Sequence, residues 1–118
     1  MKIFSSEQDL VATLDKYDDL VLACASGAVS FEEFERAYDS FYWRDALDGH
    51  ESDEEERSWF ARHASRISLH AEVCEEVLAR LTTEEYAASP QYAAKGFIGP
   101  GGAVAVLREI VLRRGRAP

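Results

Sequence analysis

Residues 5–30, SSEQDLVATLDKYDDLVLACASGAVS, contain a complete helix with a start signal and a stop signal. Ser6 can accept hydrogen bonds from first-turn amides, and Gly27 can adopt the left-handed conformation that ends many helices. Between them the apolar residues recur in steps of four and three, the spacing of one helix face: Leu10, Leu14, Tyr17, Val21 and Cys24. The pattern predicts a helix that runs to about Ala25 and buries this face.

A second helix is predicted directly after this one, over roughly residues 31–47. Ser30 and Glu33 form a capping box at its start, and Gly49 closes it. Six aromatic residues lie between Phe31 and Trp43, and four of them step by three, four and three, which predicts one core face: Phe31, Phe34, Tyr38 and Phe41. The other two, Tyr42 and Trp43, project around the side of the helix, where they are either partly exposed or packed on the loop 44–52 or on a neighbouring helix.

The longest predicted helix covers about residues 53–81. Ser52 and Glu55 form its capping box, and acids in its first turn suit the positive end of the helix dipole. Its apolar stripe contains polar members: Phe60, His63, Ile67, His70, Cys74, Val77 and Leu81. Two histidines and a cysteine are therefore expected on the core-facing side.

Two short helical turns are predicted next. Thr82 and Glu85 repeat the capping signature before a turn at 83–88, and Ser89-Pro90 places a proline at the first position of another turn. The spacing of these signals leaves no room for a long helix between residues 82 and 96.

The last predicted helix spans about residues 100–114, after a loop from Gly96 to Gly102, and ends near Gly115. Residues 113–118 are predicted to be a frayed basic tail. The core stripe of this helix is expected to contain Ala103, Val104, Leu107, Ile110, Val111 and Leu112.

Together these elements predict an all-α fold, a single domain over residues 1–118 built as a bundle of about four main helices with one or two short helical turns. A chain of 118 residues with 47% hydrophobic residues can bury one core. Cys24 and Cys74 are expected to be free thiols. The N-terminus becomes polar at once, and no apolar run reaches the ~20 residues that cross a bilayer. A cytoplasmic location is therefore predicted.

The net charge of −9 disfavours direct binding of nucleic acid or an anionic membrane surface, because phosphates would be repelled. The charge is concentrated in residues 1–56, which carry 16 acidic and 4 basic residues. From Asp45 to Glu56 there are seven acids and no lysine or arginine. This run is either a solvated linker and helix start or a surface for a basic protein partner.

If the run is a docking surface, its charge comes from six carboxylates and its aromatic anchors are Tyr42 and Trp43. An aromatic pair beside charged residues has the composition of an interface hot spot with an electrostatic rim. The predicted partner-binding residues are therefore Tyr42, Trp43, Asp45, Asp48, Glu51, Asp53, Glu54 and Glu55.

The sequence contains only weak indications of metal binding, nucleophilic catalysis or phosphate binding. His63, His70 and Cys74 share a helix face and could hold zinc or copper if another helix supplied a carboxylate, but hydrogen-bonded core histidines and a small buried cysteine explain the same spacing. A Cys–His nucleophile pair needs an exposed, activated thiol. The loop 96–102 lacks the Lys-Ser/Thr pair of a phosphate loop. The chain is predicted not to be an enzyme and to need no cofactor.

Residues 20–43, LVLACASGAVSFEEFERAYDSFYW, resemble the opening of the colicin D-type immunity proteins, with a helix, a short turn and then Glu-Phe in a second helix. Residues 106–111, VLREIV, are similar to the last helix of that family. The resemblance covers about a third of the chain. It implies a small acidic helical protein that plugs the basic RNA-binding cleft of a toxin nuclease.

The leading hypothesis is thus a non-catalytic immunity protein, a monomer or homodimer, whose partner is a basic protein such as a bacterial nuclease toxin domain. Two alternatives stay open. One is a metal-binding helical bundle that uses His63, His70 and Cys74. The other is a helical adaptor or homodimer whose aromatic face pairs with itself.

Overall fold

The structure, a computed structural model, describes residues 4–38 and 53–115. Those residues form an all-α fold, as predicted, and their only β feature is an isolated parallel bridge between Leu81 and Ile98. Five of the described helices have eight residues or more, and a 3₁₀ turn and two short helices complete the order: α1 (Glu7–Ser26), α2 (Phe31–Tyr38), α3 (Glu54–Arg62), α4 (Ala64–Glu76), the 3₁₀ turn (Leu78–Arg80), α5 (Glu84–Ala87), α6 (Pro90–Ala94) and α7 (Pro100–Arg113).

Helix α1 forms as its sequence predicts. The Ser6 Oγ accepts a hydrogen bond from the Asp9 amide at 3.1 Å, which satisfies one of the amides that a helix start leaves without a partner. Gly27 has a φ of 86°, and its N–H donates to the carbonyl groups of α1's last turn. The whole predicted stripe is buried: Leu10, Leu14, Tyr17, Val21 and Cys24.

The described part of α2 also matches its prediction. The Glu33 amide donates to the Ser30 Oγ at 3.1 Å, and the Ser30 hydroxyl donates to the Glu33 carboxylate at 3.2 Å. Phe31, Phe34 and Tyr38 are buried, and the rings of Phe34 and Tyr38 stack with centroids 4.9 Å apart. The rest of the predicted second helix, with Phe41, falls outside the described residues.

The single long helix predicted over residues 53–81 is wrong, because the chain bends at His63 and α4 ends at Glu76. The dihedral angles of His63, φ −113° and ψ 22°, are not helical, although its N–H still donates to the Trp59 carbonyl at 3.1 Å. The bend lets α3 and α4 contact different parts of α1. No glycine or proline marks this position in the sequence.

Two predicted caps are displaced by one residue. Asp53, not Ser52, caps α3, since its Oδ1 accepts a hydrogen bond from the Glu56 amide at 2.8 Å. Thr83, not Thr82, caps α5 through its Oγ1 and the Tyr86 amide. Aspartate and serine cap comparably well, so the local sequence allows both registers.

Glu56, in the first turn of α3, lies on the inner side of the helix. Its side chain is fully buried, and its Oε2 accepts a hydrogen bond from the Phe4 amide at 2.8 Å. One carboxylate of the acidic run therefore connects α3 to the segment before α1 and does not contribute to the surface.

The segment between α4 and α7 folds into two short helices, as predicted. We name residues 84–97 the tyrosine hairpin. Its end is set by Gly96, whose φ of 88° favours glycine, and the Gly96 carbonyl accepts a hydrogen bond from Arg80 Nε at 2.8 Å. Gly99 lies so close to Glu84 that a Cβ there would fall 1.9 Å from Glu84 Oε1.

Helix α7 supplies the centre of the core, and α1, α2 and α4 all pack against it. The side chains it buries are Ala103, Leu107, Ile110 and Val111. Val104 is half-buried, and the prediction of Leu112 as a core residue is wrong, because that side chain is 58% exposed.

The described residues of the predicted tail contact α4. Arg114 Nε donates to Glu72 Oε1 at 2.8 Å, and Arg113 forms an ion pair with the same carboxylate at 3.5 Å. Residues 116–118 lie outside the described part of the chain. Cys24 and Cys74 are buried free thiols, as expected.

The ion pairs between helices give their relative directions. Glu7 pairs with His63 and Asp18 with His70, so α1 and α4 run the same way. Arg114 at the end of α7 contacts Ser65 and Ser68 in the first half of α4 as well as Glu72, so α7 runs opposite to α4. The α3 helix therefore lies at one end of the molecule and the tyrosine hairpin, beside the start of α7, at the other.

Candidate partner-binding surface

The first turn of α3 presents three exposed carboxylates, those of Asp53, Glu54 and Glu55. They belong to the predicted partner-binding set. Negative side chains in this position are favoured by the partial positive charge of the helix N-terminus, so α3 holds them at the surface without a penalty to its own stability. Of the four acids of the run that the structure describes, these three are thus exposed on one helical turn, while Glu56 is buried.

These carboxylates border a shallow, open hollow of about 520 Å³. The remaining lining comes from the next turns of α3, namely Ser58, Trp59 and Arg62. Trp59 is largely buried, and it brings an aromatic side chain to a surface that the sequence assigned to Tyr42 and Trp43. We name this set the α3 surface: Asp53, Glu54, Glu55, Ser58, Trp59 and Arg62.

The other predicted partner-binding residues lie in the part of the chain that the structure does not describe: Tyr42, Trp43, Asp45, Asp48 and Glu51. Their participation in the surface stays a prediction. Trp59 was missed by sequence reasoning because it lies one position before the apolar stripe that begins at Phe60.

The arginines of the C-terminal half pair with acids of α1 and α4. Arg62 contacts Glu7 at 2.9 Å, and Arg66 contacts Asp15 at 2.6 Å and Asp18 at 2.9 Å. Hydrogen bonds from Arg62 and then His63 lower the pKa of Glu7 to about 2. Because Glu7 is solvated, this pairing positions α3 on α1 more than it stabilises the fold.

A buried polar network connects three helices below these ion pairs. His70 is 0% exposed, and one ring nitrogen, Nδ1, lies 2.6 Å from the Tyr38 hydroxyl, while the other, Nε2, lies 2.6 Å from Asp18 Oδ1. Arg66 Nε donates to the second Asp18 oxygen at 3.1 Å. The network therefore joins α2 to α4, α4 to α1, and a buried aspartate to the surface.

The charges in this network are mutually compensated. Burial alone would raise the pKa of Asp18, but hydrogen bonds from His70 and Arg66 outweigh burial and hold that pKa below its ordinary value. Burial raises the pKa of Tyr38, which keeps the hydroxyl protonated. Such a network is costly to interrupt, because each member left behind would be a buried polar group without its partner.

The metal alternative lacks a site in this structure. Both ring nitrogens of His70 already contact Tyr38 and Asp18, and His63 Nε2 lies 2.9 Å from Glu7. Among residues 4–38 and 53–115 no group of three or more histidine, cysteine or acidic side chains could hold a metal ion. Hydrogen bonding therefore explains both histidines of the predicted stripe, His70 within the core and His63 with Glu7 nearer the surface.

The other two chemical alternatives meet similar obstacles. Cys74 is buried, which does not suit the exposed thiol that a Cys–His nucleophile pair requires. At the start of α7 the Gly101 amide donates to Glu84 Oε1 at 3.2 Å. A carboxylate of the chain itself thus occupies the place that a phosphate would take.

No helix in the described residues combines the length and the hydropathy that crossing a bilayer requires. Scans of the chain against protein-family models, curated proteins and solved structures find no match. The similarity to colicin D-type immunity proteins rests on the motifs in residues 20–43 and 106–111 alone.

Proposed function

We propose that this chain is a non-catalytic binding protein, an immunity protein that neutralises a bacterial nuclease toxin by covering its basic cleft. The observation that carries the proposal is the α3 surface, where three exposed carboxylates stand on one helical turn around an open hollow. A net charge of −9 gives the whole molecule the sign that such a partner attracts.

The physical basis is charge mimicry. A nuclease cleft is positive because its substrate is a polyanion, and carboxylates spaced along a helix can replace phosphates in it. The surrounding negative field also accelerates encounter, which suits a protein that must capture a toxin before the toxin acts.

An aromatic side chain beside the charges supports the same function. In protein interfaces a few aromatic residues at the centre carry much of the binding energy, while charged residues at the rim set the association rate. Trp59 borders the hollow next to Asp53–Glu55, and Tyr42 and Trp43 are predicted to add to it. On this proposal the carboxylates orient the partner, and the aromatic contact comes chiefly from Tyr42 and Trp43, because the Trp59 side chain is only 6% exposed.

The non-catalytic part of the proposal has its own support. The residues with the most suggestive chemistry, His70 and Cys74, are buried in the core, and His70 is held there by Tyr38 and Asp18. A group that holds the helices together in this way is not accessible to a substrate.

The test first asks whether the adjacent reading frame encodes a nuclease toxin domain, and then measures association of the purified chain with that domain. The variant Asp53→Asn/Glu54→Gln/Glu55→Gln removes three charges and keeps a capping side chain at position 53. We expect its association rate at low salt to fall by about tenfold, and the difference to shrink as salt increases, since long-range steering is screened.

A matched control removes the same number of exposed charges elsewhere, as Asp19→Asn/Glu75→Gln/Glu109→Gln. We expect the association rate of this control to change by less than about threefold. Equal effects in the two variants would mean that net charge alone matters and that the α3 surface has no specific role. Absence of complex formation and of protection against the nuclease would refute the immunity function itself.

A further inference from the structure

The tyrosine hairpin carries the most exposed aromatic side chains of the described residues. Tyr86 is 51% exposed and Tyr92 is 36% exposed. Their ring centroids are 5.0 Å apart, and Phe97 extends the group with its centroid 5.8 Å from that of Tyr92. We name these three rings the tyrosine face.

The base of the tyrosine hairpin is fixed by hydrogen bonds. The Thr82 amide donates to the Ile98 carbonyl at 2.8 Å, and the Ile98 amide donates to the Arg80 carbonyl at 2.9 Å, so the segments entering and leaving the hairpin are joined. Glu84 binds the Gly101 amide at the start of α7. The exposure of the tyrosines therefore comes from an ordered projection, and a partner would meet rings that are already in place.

These rings contribute little to the packing of the helices on one another. Among the longer helices, α1, α2, α4 and α7 pack on one another, whereas α5 and α6 pack chiefly on each other. A tyrosine that is half exposed contributes little to the core. Two such rings in mutual contact on a fixed hairpin have the composition and the preorganisation of an interface anchor.

We propose that the tyrosine face is a second docking surface, which binds arginine side chains of a basic protein. The charges of the tyrosine hairpin favour such a partner, since it carries two acids, Glu84 and Glu85, and one base, Lys95. The neighbouring base, Arg80, is paired with Glu76. A second copy of this chain is a poor occupant, because two molecules of charge −9 repel each other.

Arginine is the cation that suits this face. Its planar guanidinium stacks on an aromatic ring and is more weakly hydrated than an ammonium group, so it loses less on leaving water. The face lies at the opposite end of the molecule from the α3 surface and does not depend on the function proposed for that surface.

The test uses two synthetic peptides of equal length and charge, Gly-Ser-Arg repeated four times and Gly-Ser-Lys repeated four times, titrated into the full chain at low and moderate salt. The aromatic ring signals of Tyr86 and Tyr92 are followed by NMR. We expect the arginine peptide to shift these signals and to bind about fivefold more tightly than the lysine peptide.

Two variants separate stacking from general hydrophobicity. Tyr86→Phe/Tyr92→Phe keeps the rings and is expected to keep the preference for arginine, while Tyr86→Leu/Tyr92→Leu keeps apolar surface and is expected to lose it. Leu112→Ala, at an exposed residue of the opposite end, serves as the control and should change nothing.

Three results would overturn the proposal. Equal affinity for the two peptides would show that charge alone binds them, and ring signals that do not move, with shifts confined to α3, would place binding on the α3 surface only. A concentration-dependent dimer in sedimentation, lost in the leucine variant, would make a second copy the occupant. None of these results bears on the toxin association test, which uses different variants and a different partner.

Discussion

The acids of α1 and the acids of α3 are the same kind of residue in different roles. Glu7, Asp15 and Asp18 of α1 pair with Arg62, Arg66 and the two histidines, and Asp18 is buried among them. The carboxylates of Asp53, Glu54 and Glu55 stand exposed on the first turn of α3. Acidic residues therefore hold the helices together in one region, and on our proposal they recognise a partner in the other.

The difference arises from what each helix faces. Helix α1 has Arg62 of α3 and Arg66 of α4 along one side, whereas the first turn of α3 exposes Asp53, Glu54 and Glu55. We therefore expect removal of a charge on α1 to change the free energy of unfolding, and removal of a charge on the α3 surface to change binding of a partner. Variants that change one property and leave the other alone test this separation.

The largest effect is expected from Asp18→Ala. This change leaves the buried His70 and the guanidinium of Arg66 without the carboxylate that compensates them, and removing one member of a buried ionic network costs about 3–5 kcal/mol. Urea denaturation followed by circular dichroism measures the loss. The adjacent exposed residue provides a matched control, Asp19→Ala, which should change stability by less than about 0.5 kcal/mol. Similar losses in the two variants would mean that the buried network does not stabilise the fold.

A second, more gradual effect is expected on acidification. The pKa values of Asp18 and Glu7 are lowered in the folded chain from ordinary values of 3.8 and 4.5. The unfolded chain therefore binds protons first, so the stabilisation is complete above these ordinary values and is lost as the pH falls through the folded-state values. Denaturation midpoints measured from pH 6 down to pH 2 should decrease most steeply below pH of about 4.5.

The variant Asp18→Asn provides the control for the pH profile, since an amide does not titrate. Its stability at pH 6 should be lower than that of the unchanged chain, and its decrease on acidification should be shallower. A profile parallel to that of the unchanged chain would exclude Asp18 as a source of the acid sensitivity.

The smallest effect concerns the start of α3. Asp53→Ala removes the side chain that accepts a hydrogen bond from the Glu56 amide, and loss of a helix N-cap costs about 1 kcal/mol of stability. Glu54→Gln, on the same turn but without a capping role, should stay within about 0.5 kcal/mol. If Glu54→Gln destabilised the chain as much as Asp53→Ala, the α3 acids would have a structural role that our proposal does not give them.

Prediction from the sequence was most accurate where a helix is defined by its own residues. The caps and the stripe of α1 are local signals, and each of them agrees with the structure. The start of α2 and most of the core face of α7 are predicted equally well from the sequence, although Leu112 is exposed. In these helices the apolar spacing of three and four decides what is buried.

Prediction failed where two local solutions were nearly equal in energy. Ser52 and Asp53 are both good capping residues, as are Thr82 and Thr83, and in each pair the second one is used. Glu56 faces inward and binds the Phe4 amide, a contact over 52 positions that no local rule contains. His63, at the bend, likewise contacts Glu7, which is far away in the sequence.

The candidate site shows the same division. The acidic run and its charge are evident in the sequence, and three of its members are exposed at the start of α3. The contribution of Trp59 and Arg62 to the hollow depends on the register of α3 and on the position of α1. The position of the tyrosine face depends on the hydrogen bonds that join the hairpin to α7.

The sequence by itself determined that the chain is helical, where most helices begin and end, and that its charge is strongly negative, because caps, apolar spacing and composition are local properties. The tertiary structure alone decided which acids are neutralised, which histidine is buried and which aromatic rings remain exposed. Those outcomes depend on contacts between helices that are distant along the chain, and a buried charge is tolerated only where such a contact compensates it.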